Sequence, residues 1–289
     1  MLVATNEGVI ASDGEVVLEG EARQVARGDG RWLSVVDGRA YRSPDRASWE
    51  PAADAVEQEP TVVRDVGGSL LVGTAGGHLW VVDPDGDARE LAAFRQADTF
   101  EDWHTPWGGP PDVRSMTVTA AGTWLVNVHV GGILRSTDQG RTWQPTIDLH
   151  TDVHEVLAAG ARVYAALGAG GLATTDDDGR TWRIEAAGLP DTYCRAVTVA
   201  GDRVLVSSSR GPGGGGAAVH ARTVGSRDGL RRLGLPDDLG GNVDTGCLVA
   251  RGLDVAVGTA DGRLFVSDDA GMSWRLRRDG LGTIRSLSW

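Results

Sequence analysis

An eight-residue pattern, Ser/Thr-x-Asp-x-Gly-x-Thr/Ser-Trp, recurs along this 289-residue chain and sets a spacing that few folds can satisfy. Intact copies occupy residues 136–143, 175–182 and 267–274, and a shortened copy occupies residues 43–49. In each copy the Asp carboxylate can accept backbone N–H bonds, the Gly can take a positive φ, and the Trp can cover the turn. Each copy therefore predicts a β-hairpin turn, and their repetition indicates a chain built from similar β units.

This pattern resembles the Asp-box, or BNR, repeat of sialidases, sortilin-type receptors and the photosystem II assembly-factor family. In those families the repeat is a structural turn on β-propeller blades and carries no chemistry. The resemblance covers nearly the whole chain as architecture. It implies a fold and leaves the function open, because one fold hosts many functions.

Alignment on these turns divides most of the chain into units of about 35 to 45 residues, the size of a four-stranded propeller blade. Six units, of which the second and the fifth are longer than this, occupy residues 21–59, 60–111, 112–151, 152–192, 193–241 and 242–282. The remainder is one strand in residues 283–289 and three strands in residues 1–20. Paired together, these two pieces complete a seventh blade, so that neither terminus leaves a free strand edge.

The sequence therefore predicts a single all-β domain. It is a seven-bladed β-propeller of four-stranded antiparallel blades, closed by pairing of the C-terminal strand with the N-terminal strands. The 42 glycines agree with a fold that needs many tight turns.

Charge and composition exclude several classes of partner. The net charge is −12, and every basic residue is arginine, with no basic stripe for nucleic acid or for an anionic membrane. No apolar stretch approaches the ~20 residues of a membrane span. The two cysteines, Cys194 and Cys247, are too few for a disulfide scaffold. We expect a cytoplasmic monomer.

In a propeller, the inter-blade connections and the turns between second and third strands emerge on one face, opposite the Asp-box turns. A site built from several blades is expected there. The longest inter-blade segment, residues 95–111, holds Trp103, His104 and Trp107. Long loops on a rigid scaffold are often functional, so we take both tryptophans as candidate ligand-binding residues.

Four of the six histidines lie between positions 104 and 154 and map to this face. His104, His129 and His154 could hold a divalent transition metal, namely Zn, Cu, Fe or Mn. The carboxylates expected nearby are Asp112, Asp152 and Glu155, and the candidate acid/base or supporting residues are His150, Asp152 and Glu155. Two alternatives stay open: the histidines satisfy turn backbone groups or stack on tryptophan, or they act in acid/base chemistry without a metal.

A second set of candidates stands at the third residue of the aligned inner strands. These residues, which would form a ring at the channel mouth with His154, are Arg114, Arg195, Asp244 and Arg285. Such a ring can bind a carboxylate or a phosphate through bidentate arginine contacts. It can equally be a self-neutralising network that holds blade to blade.

Two functions follow as hypotheses. The first is a binding scaffold that captures an acidic small molecule or peptide at the channel mouth. The second is a metal-dependent enzyme that uses the three histidines. Sialidase activity is not expected, although the arginines and Tyr193 superficially match that site, because the Arg-Ile-Pro signature is missing and sialidases have six blades.

Overall fold

The computed structural model describes residues 1–289, which form 28 β-strands in seven four-stranded antiparallel sheets. The innermost strands of successive sheets contact one another in chain order, and the last of them contacts the first. The sheets therefore form a closed ring of blades around a central channel. This confirms the predicted all-β, seven-bladed propeller.

The strands run as follows. The outer strands of blade seven come first, as β1 (Leu2–Thr5), β2 (Gly8–Ala11) and β3 (Val16–Glu19). Blade one contains β4 (Ala22–Arg27), β5 (Trp32–Val36), β6 (Arg39–Ser43) and β7 (Glu50–Pro51). Blade two contains β8 (Pro60–Val66), β9 (Ser69–Thr74), β10 (Leu79–Val82) and β11 (Ala88–Glu90). Blade three contains β12 (Val113–Val118), β13 (Trp124–Val128), β14 (Ile133–Ser136) and β15 (Gln144–Pro145).

Blade four contains β16 (Val153–Ala159), β17 (Arg162–Leu167), β18 (Gly171–Thr175) and β19 (Arg183–Glu185). Blade five contains β20 (Val197–Ala200), β21 (Arg203–Ser208), β22 (Ala218–Thr223) and β23 (Arg231–Arg232). Blade six contains β24 (Leu248–Arg251), β25 (Asp254–Gly258), β26 (Leu264–Ser267) and β27 (Arg275–Arg278). The chain ends with β28 (Ile284–Ser288), the inner strand of blade seven.

The ring is closed by the two ends of the chain. β28 pairs antiparallel with β1, with Ser288 opposite Leu2 and Leu287 opposite Val3. The predicted closure by the C-terminal strand is therefore confirmed. The pairing places β1 inside the sheet and gives β28 the inner-edge position that the inner strand has in every blade.

Burial follows position within the blade. Strands β5 and β13 are buried along their whole length, because both faces of the blade pack against neighbouring blades. The outermost strands β7, β15 and β27 are exposed throughout. The apolar layers between blades supply the main stabilisation, and the outer strands mainly close each sheet.

The repeated turns have the predicted geometry. Between β14 and β15, Asp138 accepts the Thr142 N–H at 2.9 Å and the Thr142 hydroxyl at 2.7 Å. Gly140 has φ 82°, and its carbonyl accepts the Trp143 indole N–H at 3.1 Å. Because strands alternate in direction, these turns lie at the end of the blade opposite the second-to-third-strand connections.

Only two helices interrupt the strands, both short 3₁₀ turns, Ala92–Gln96 and Phe100–Asp102, in the connection between blades two and three. Phe94 of the first is fully buried, 5.1 Å from the ring of Trp103. Neither helix has the length and apolarity needed to span a membrane.

Candidate functional site

A repeated backbone irregularity aims side chains at the channel mouth. Five of the seven inner strands carry one extra residue near the same point, and a bulge of this kind redirects the side chain of the residue left unpaired. The five bulge residues are Arg23, Thr61, Arg114, His154 and Arg285. Arg195 and Asp244 occupy the matching places in blades five and six, where strand pairing starts only at Val197 and Leu248.

The central channel holds a cavity of ≈600 Å³ that is rich in positive charge. Its arginines are Arg23, Arg64, Arg114, Arg195 and Arg285, and its only carboxylates are Glu155 and Asp244. All four ring residues predicted as ligand-binding, Arg114, Arg195, Asp244 and Arg285, thus line one cavity. The fifth predicted ring member, His154, is fully buried behind them.

Asp244 is shared by two of these arginines. Its Oδ2 accepts a hydrogen bond from Arg195 Nη1 at 2.6 Å, and its Oδ1 accepts one from Arg114 Nη2 at 3.1 Å. Burial alone would raise the pKa of Asp244, but the two guanidinium groups outweigh it and hold that pKa below its usual value. Asp244 therefore stays ionised and neutralises one of the two arginines.

The other arginines differ in how they are paired. Arg285 pairs with Glu21 at 2.6 Å, and Arg23 pairs with Asp112 at 3.2 Å. Arg64 has no carboxylate within the 4.0 Å limit of an ion pair, and its Nη1 donates only to the Met116 carbonyl at 3.1 Å. The channel therefore contains at least one guanidinium with unused donors.

Glu155 does little to offset this positive charge. Its carboxylate accepts N–H bonds from Val197 at 2.9 Å and from Gly246 at 3.3 Å. Burial nevertheless raises the pKa of Glu155 to about 8. At neutral pH the uncharged acid dominates, so Asp244 is the one ionised carboxylate of the cavity wall.

Beside the channel, two histidines and an aspartate form a compact group, which we call the His₂Asp group. One donor atom from each of His129, Asp152 and His154 lies within 4.8 Å of the other two. Asp152 Oδ2 is 3.2 Å from His154 Nε2, and Asp152 Oδ1 is 3.8 Å from His129 Nε2. Both imidazoles are buried, and the carboxylate joins them.

Each imidazole in this group is oriented by a hydrogen bond to its other nitrogen. His154 Nδ1 donates to the Cys194 carbonyl at 2.7 Å, and His129 Nδ1 lies 3.2 Å from Asp112 Oδ1. Both Nε2 atoms are therefore left to face Asp152. Arg114 Nη1 also lies 3.0 Å from His129 Nε2, which links the group to the arginine channel.

Burial and ion pairing act in opposite directions on the pKa values of this group. Burial lowers the pKa of His154, although Asp152 acts in the opposite direction. Burial would raise the pKa of Asp152, but the hydrogen bond and charge of His154, with His129 and Arg114, hold it below its usual value. Asp152 Oδ1 is buried and has no hydrogen-bond partner.

The structure does not bring the third predicted histidine ligand, His104, into this group. His104 is exposed, its Nδ1 is 2.8 Å from the Thr105 carbonyl, and its backbone pairs with Val130 across to blade three. That pairing fixes the loop and leaves the ring outside the cluster, where Asp152 supplies the third donor. His150 is also exposed, in the turn before blade four.

The two tryptophans of the long loop have different environments. Trp103 is buried, packs against Phe94 and Phe100, and donates its indole N–H to Thr99 at 3.0 Å. Trp107 is 75% exposed, with its ring edge-on to His129 at 5.4 Å. Of the pair, Trp107 alone offers a free aromatic surface beside the site.

Sequence reasoning missed Arg23, Arg64 and the Cys194 carbonyl that orients His154, whereas Asp112 was expected near the histidines. Arg23 was detectable, because it is the third residue of blade one in the same alignment that identified Arg114. Arg64 lies three residues deeper in its strand than that position and carries no repeat signal. The Cys194 carbonyl becomes recognisable as a partner of His154 only when strands from neighbouring blades are placed side by side.

No protein-family model matches this chain, and no curated protein matches it in sequence. Several solved structures match in fold. The GH74 xyloglucanase from Xanthomonas campestris superposes on 96% of this chain with a TM-score of 0.67 and 16% identity. This chain spans only 46% of that enzyme.

YCF48 from Cyanidioschyzon merolae superposes on 85% of this chain with a TM-score of 0.61 and 16% identity, over 82% of its own length. A structure of YCF48 bound to D1 peptide covers 86% of this chain and 75% of its own, with a TM-score of 0.57 and 13% identity. At these identities the similarity establishes the propeller fold alone.

Proposed function

We propose that this protein is a binding scaffold whose central channel captures an anionic ligand, either a carboxylate-rich small molecule or the acidic end of a peptide. The observation that carries the proposal is the convergence of five arginines on one cavity in a chain of net charge −12. A positive cavity in an otherwise negative molecule focuses the field and attracts anions to one place.

Arg64 is the residue with the most to offer a ligand. It faces the cavity without a carboxylate partner, whereas Asp244 already engages Arg114 and Arg195. A ligand carboxylate could accept a bidentate hydrogen bond from Arg64 at little cost to existing ion pairs. An anion that also reached Arg114 or Arg195 would compete with Asp244.

The size of the cavity limits the ligand. A volume of ≈600 Å³ falls in the usual range for small-molecule sites, roughly 300–1,000 Å³. It would accommodate a small polyacid or one or two acidic side chains of a longer chain. The solved structure of YCF48 with D1 peptide gives a precedent for peptide binding by a propeller of the same fold. The cytoplasmic location and the monomeric state stay predictions.

A second candidate function is metal-dependent chemistry at the His₂Asp group. The observation that favours it is the buried set of two oriented imidazoles and an unpartnered carboxylate oxygen. No reaction is assigned, and Glu155 and His150 stay predicted acid/base residues.

Calorimetry on metal-free protein tests anion binding, with glutarate and a hexaglutamate peptide as probes at low and high salt. Binding should weaken with salt, because charge attraction is screened. Arg64→Met should lower the affinity about tenfold or more, the loss expected for a charge-assisted hydrogen bond. Arg231→Met, an exposed arginine on β23, is the matched control. Equal affinities for the wild type and Arg64→Met, or no binding of either probe at millimolar concentration, would refute the proposal.

A further inference from the structure

The spacing of the His₂Asp group suits a metal ion. Two ligand atoms that lie about 2.0–2.2 Å from a tetrahedral ion are roughly 3.4 Å apart. Here Asp152 is 3.2 Å from one Nε2 and 3.8 Å from the other. The carboxylate thus already stands near coordination spacing from both imidazoles, which are themselves buried.

The surroundings of the two imidazoles match those of metal-binding histidines. A histidine ligand usually donates its second ring N–H to a carboxylate or a backbone carbonyl, which fixes the tautomer and the ring plane. His129 has the Asp112 carboxylate in that place, and His154 has the Cys194 carbonyl. Both kinds of support therefore occur in one cluster.

The positions of His154 Nε2 and the Asp152 carboxylate favour a positive charge between them. His154 Nδ1 is occupied by the Cys194 carbonyl, while Nε2 lies 3.2 Å from Asp152 Oδ2 and 3.5 Å from the Tyr193 hydroxyl. A proton or a cation between Nε2 and the carboxylate oxygen stabilises so close an approach. Asp152 Oδ1 is buried with no partner at all. A metal ion would satisfy both oxygens and both nitrogens.

We infer that His129, Asp152 and His154 bind a divalent first-row transition metal through the two Nε2 atoms and the carboxylate. Two imidazoles and one carboxylate leave coordination positions open, as in catalytic Zn and non-haem Fe(II) sites. The metal site gives the metal-dependent candidate function its ligands, and any chemistry at the site rests on that proposed function. Metal binding here is independent of anion binding in the channel.

Arg114 is the internal competitor for this site. Its Nη1 is 3.0 Å from His129 Nε2, where it donates into the lone pair that a metal would need. Metal binding must displace this contact and bring a second positive charge close to the guanidinium. Removal of the guanidinium should therefore tighten metal binding and, in the same molecule, weaken anion binding.

The test uses untagged full-length protein, stripped with chelator and titrated with Co²⁺ and Zn²⁺. Calorimetry gives stoichiometry and affinity, and the visible spectrum of bound Co²⁺ reports nitrogen and oxygen coordination. One ion per chain is expected. Asp152→Asn, which keeps the shape of the side chain, should lower the affinity at least about 100-fold, and Asp112→Asn about 10- to 100-fold. Arg114→Met should raise it about tenfold, since it removes one charge-assisted contact.

Two variants keep the result interpretable. His129→Gln is a second ligand deletion, for the case in which Asp152→Asn fails to fold by circular dichroism. His78→Gln, which changes a histidine between β9 and β10 that pairs with Glu90, should bind metal like the wild type. No 1:1 binding in either the wild type or Arg114→Met, or binding that ligand deletions leave unchanged, overturns the metal site. The glutarate and hexaglutamate titrations of the channel are unaffected by that outcome.

Discussion

Arg195 Nη1 donates to Asp244 Oδ2 at 2.6 Å, although the two residues are 49 positions apart and belong to different blades. The contact bears on both interpretations of the ring, because a ring that only holds blades together has its charges neutralised. Asp244 is shared by Arg195 and Arg114, so it neutralises only one of its two arginine partners. The ring therefore links blades and also keeps one positive charge without a matching carboxylate.

Asp244→Asn separates these two roles. Loss of the shared carboxylate leaves Arg114 and Arg195 facing each other, and should lower the free energy of unfolding by about 1–3 kcal/mol. The half-exposed position of Asp244 keeps the loss in this range. The same change frees both guanidinium groups, so glutarate should stabilise the variant more than the wild type. Urea unfolding with and without glutarate measures both effects, and a variant that glutarate no longer stabilises would contradict the anion-binding role.

The two tryptophans of the long loop should respond differently to truncation. Trp103 is 5% exposed and packs on Phe94, so Trp103→Ala should lower the free energy of unfolding by about 3–5 kcal/mol. Trp107 is 75% exposed, and Trp107→Ala should change it by less than about 0.5 kcal/mol. Thermal or urea unfolding of the pair tests this. Equal destabilisation would mean that Trp107 also holds the loop in place.

The turn repeats made most of the fold predictable from the sequence. Because the turn that contains Asp138 recurs in four of the seven blades, it sets the register of the units between the copies and leaves two terminal fragments that fit together. Leu2 and Ser288 pair as that argument requires. Hydrogen bonds within one repeated turn thus allow the arrangement of all the blades to be predicted.

The site was less predictable, for a physical reason. The inner-strand alignment grouped Arg114 with Arg195, and both contact Asp244 in the structure. A β-bulge aims the Arg114 side chain, however, and bulges leave no clear sequence signal. The choice of Asp152 over His104 as the third donor depends on the backbone pairing of His104 with Val130, a contact between loops of different blades. Positions set by the repeat could be inferred, whereas contacts between repeats could not.

The turn carboxylates should make the protein sensitive to acid. Hydrogen bonds from the side chain and the backbone of Ser273 lower the pKa of Asp269 to about 2, below its usual 3.8. A depressed pKa means that the stabilising charge is fully present above pH 4 and is lost as the pH falls through 2. Asp269→Asn should therefore melt below the wild type at pH 7, with a difference that shrinks between pH 4 and pH 2. Asp268→Asn, next to it and without a side-chain hydrogen bond, should melt like the wild type throughout. A constant difference across that range would show that the Asp269 charge is not what stabilises the turn.

Ring closure should depend on the side chains of β28 more than on those of any outer strand. Leu287 is 3% exposed, lies opposite Val3 and packs in the core between blades, so Leu287→Ala should lower the free energy of unfolding by about 2–5 kcal/mol. Leu276→Ala removes the same atoms from β27, where the side chain is 51% exposed, and should lower the free energy of unfolding by less than about 0.5 kcal/mol.

Deletion of residues 284–289 is a larger change, because it leaves β1 without its inner partner and opens the ring. The shortened chain should lose the cooperative unfolding transition expected for the full chain. If the deletion variant still unfolds in one sharp transition near the wild-type temperature, pairing of β28 with β1 does not hold the ring together, and six blades are sufficient for the fold.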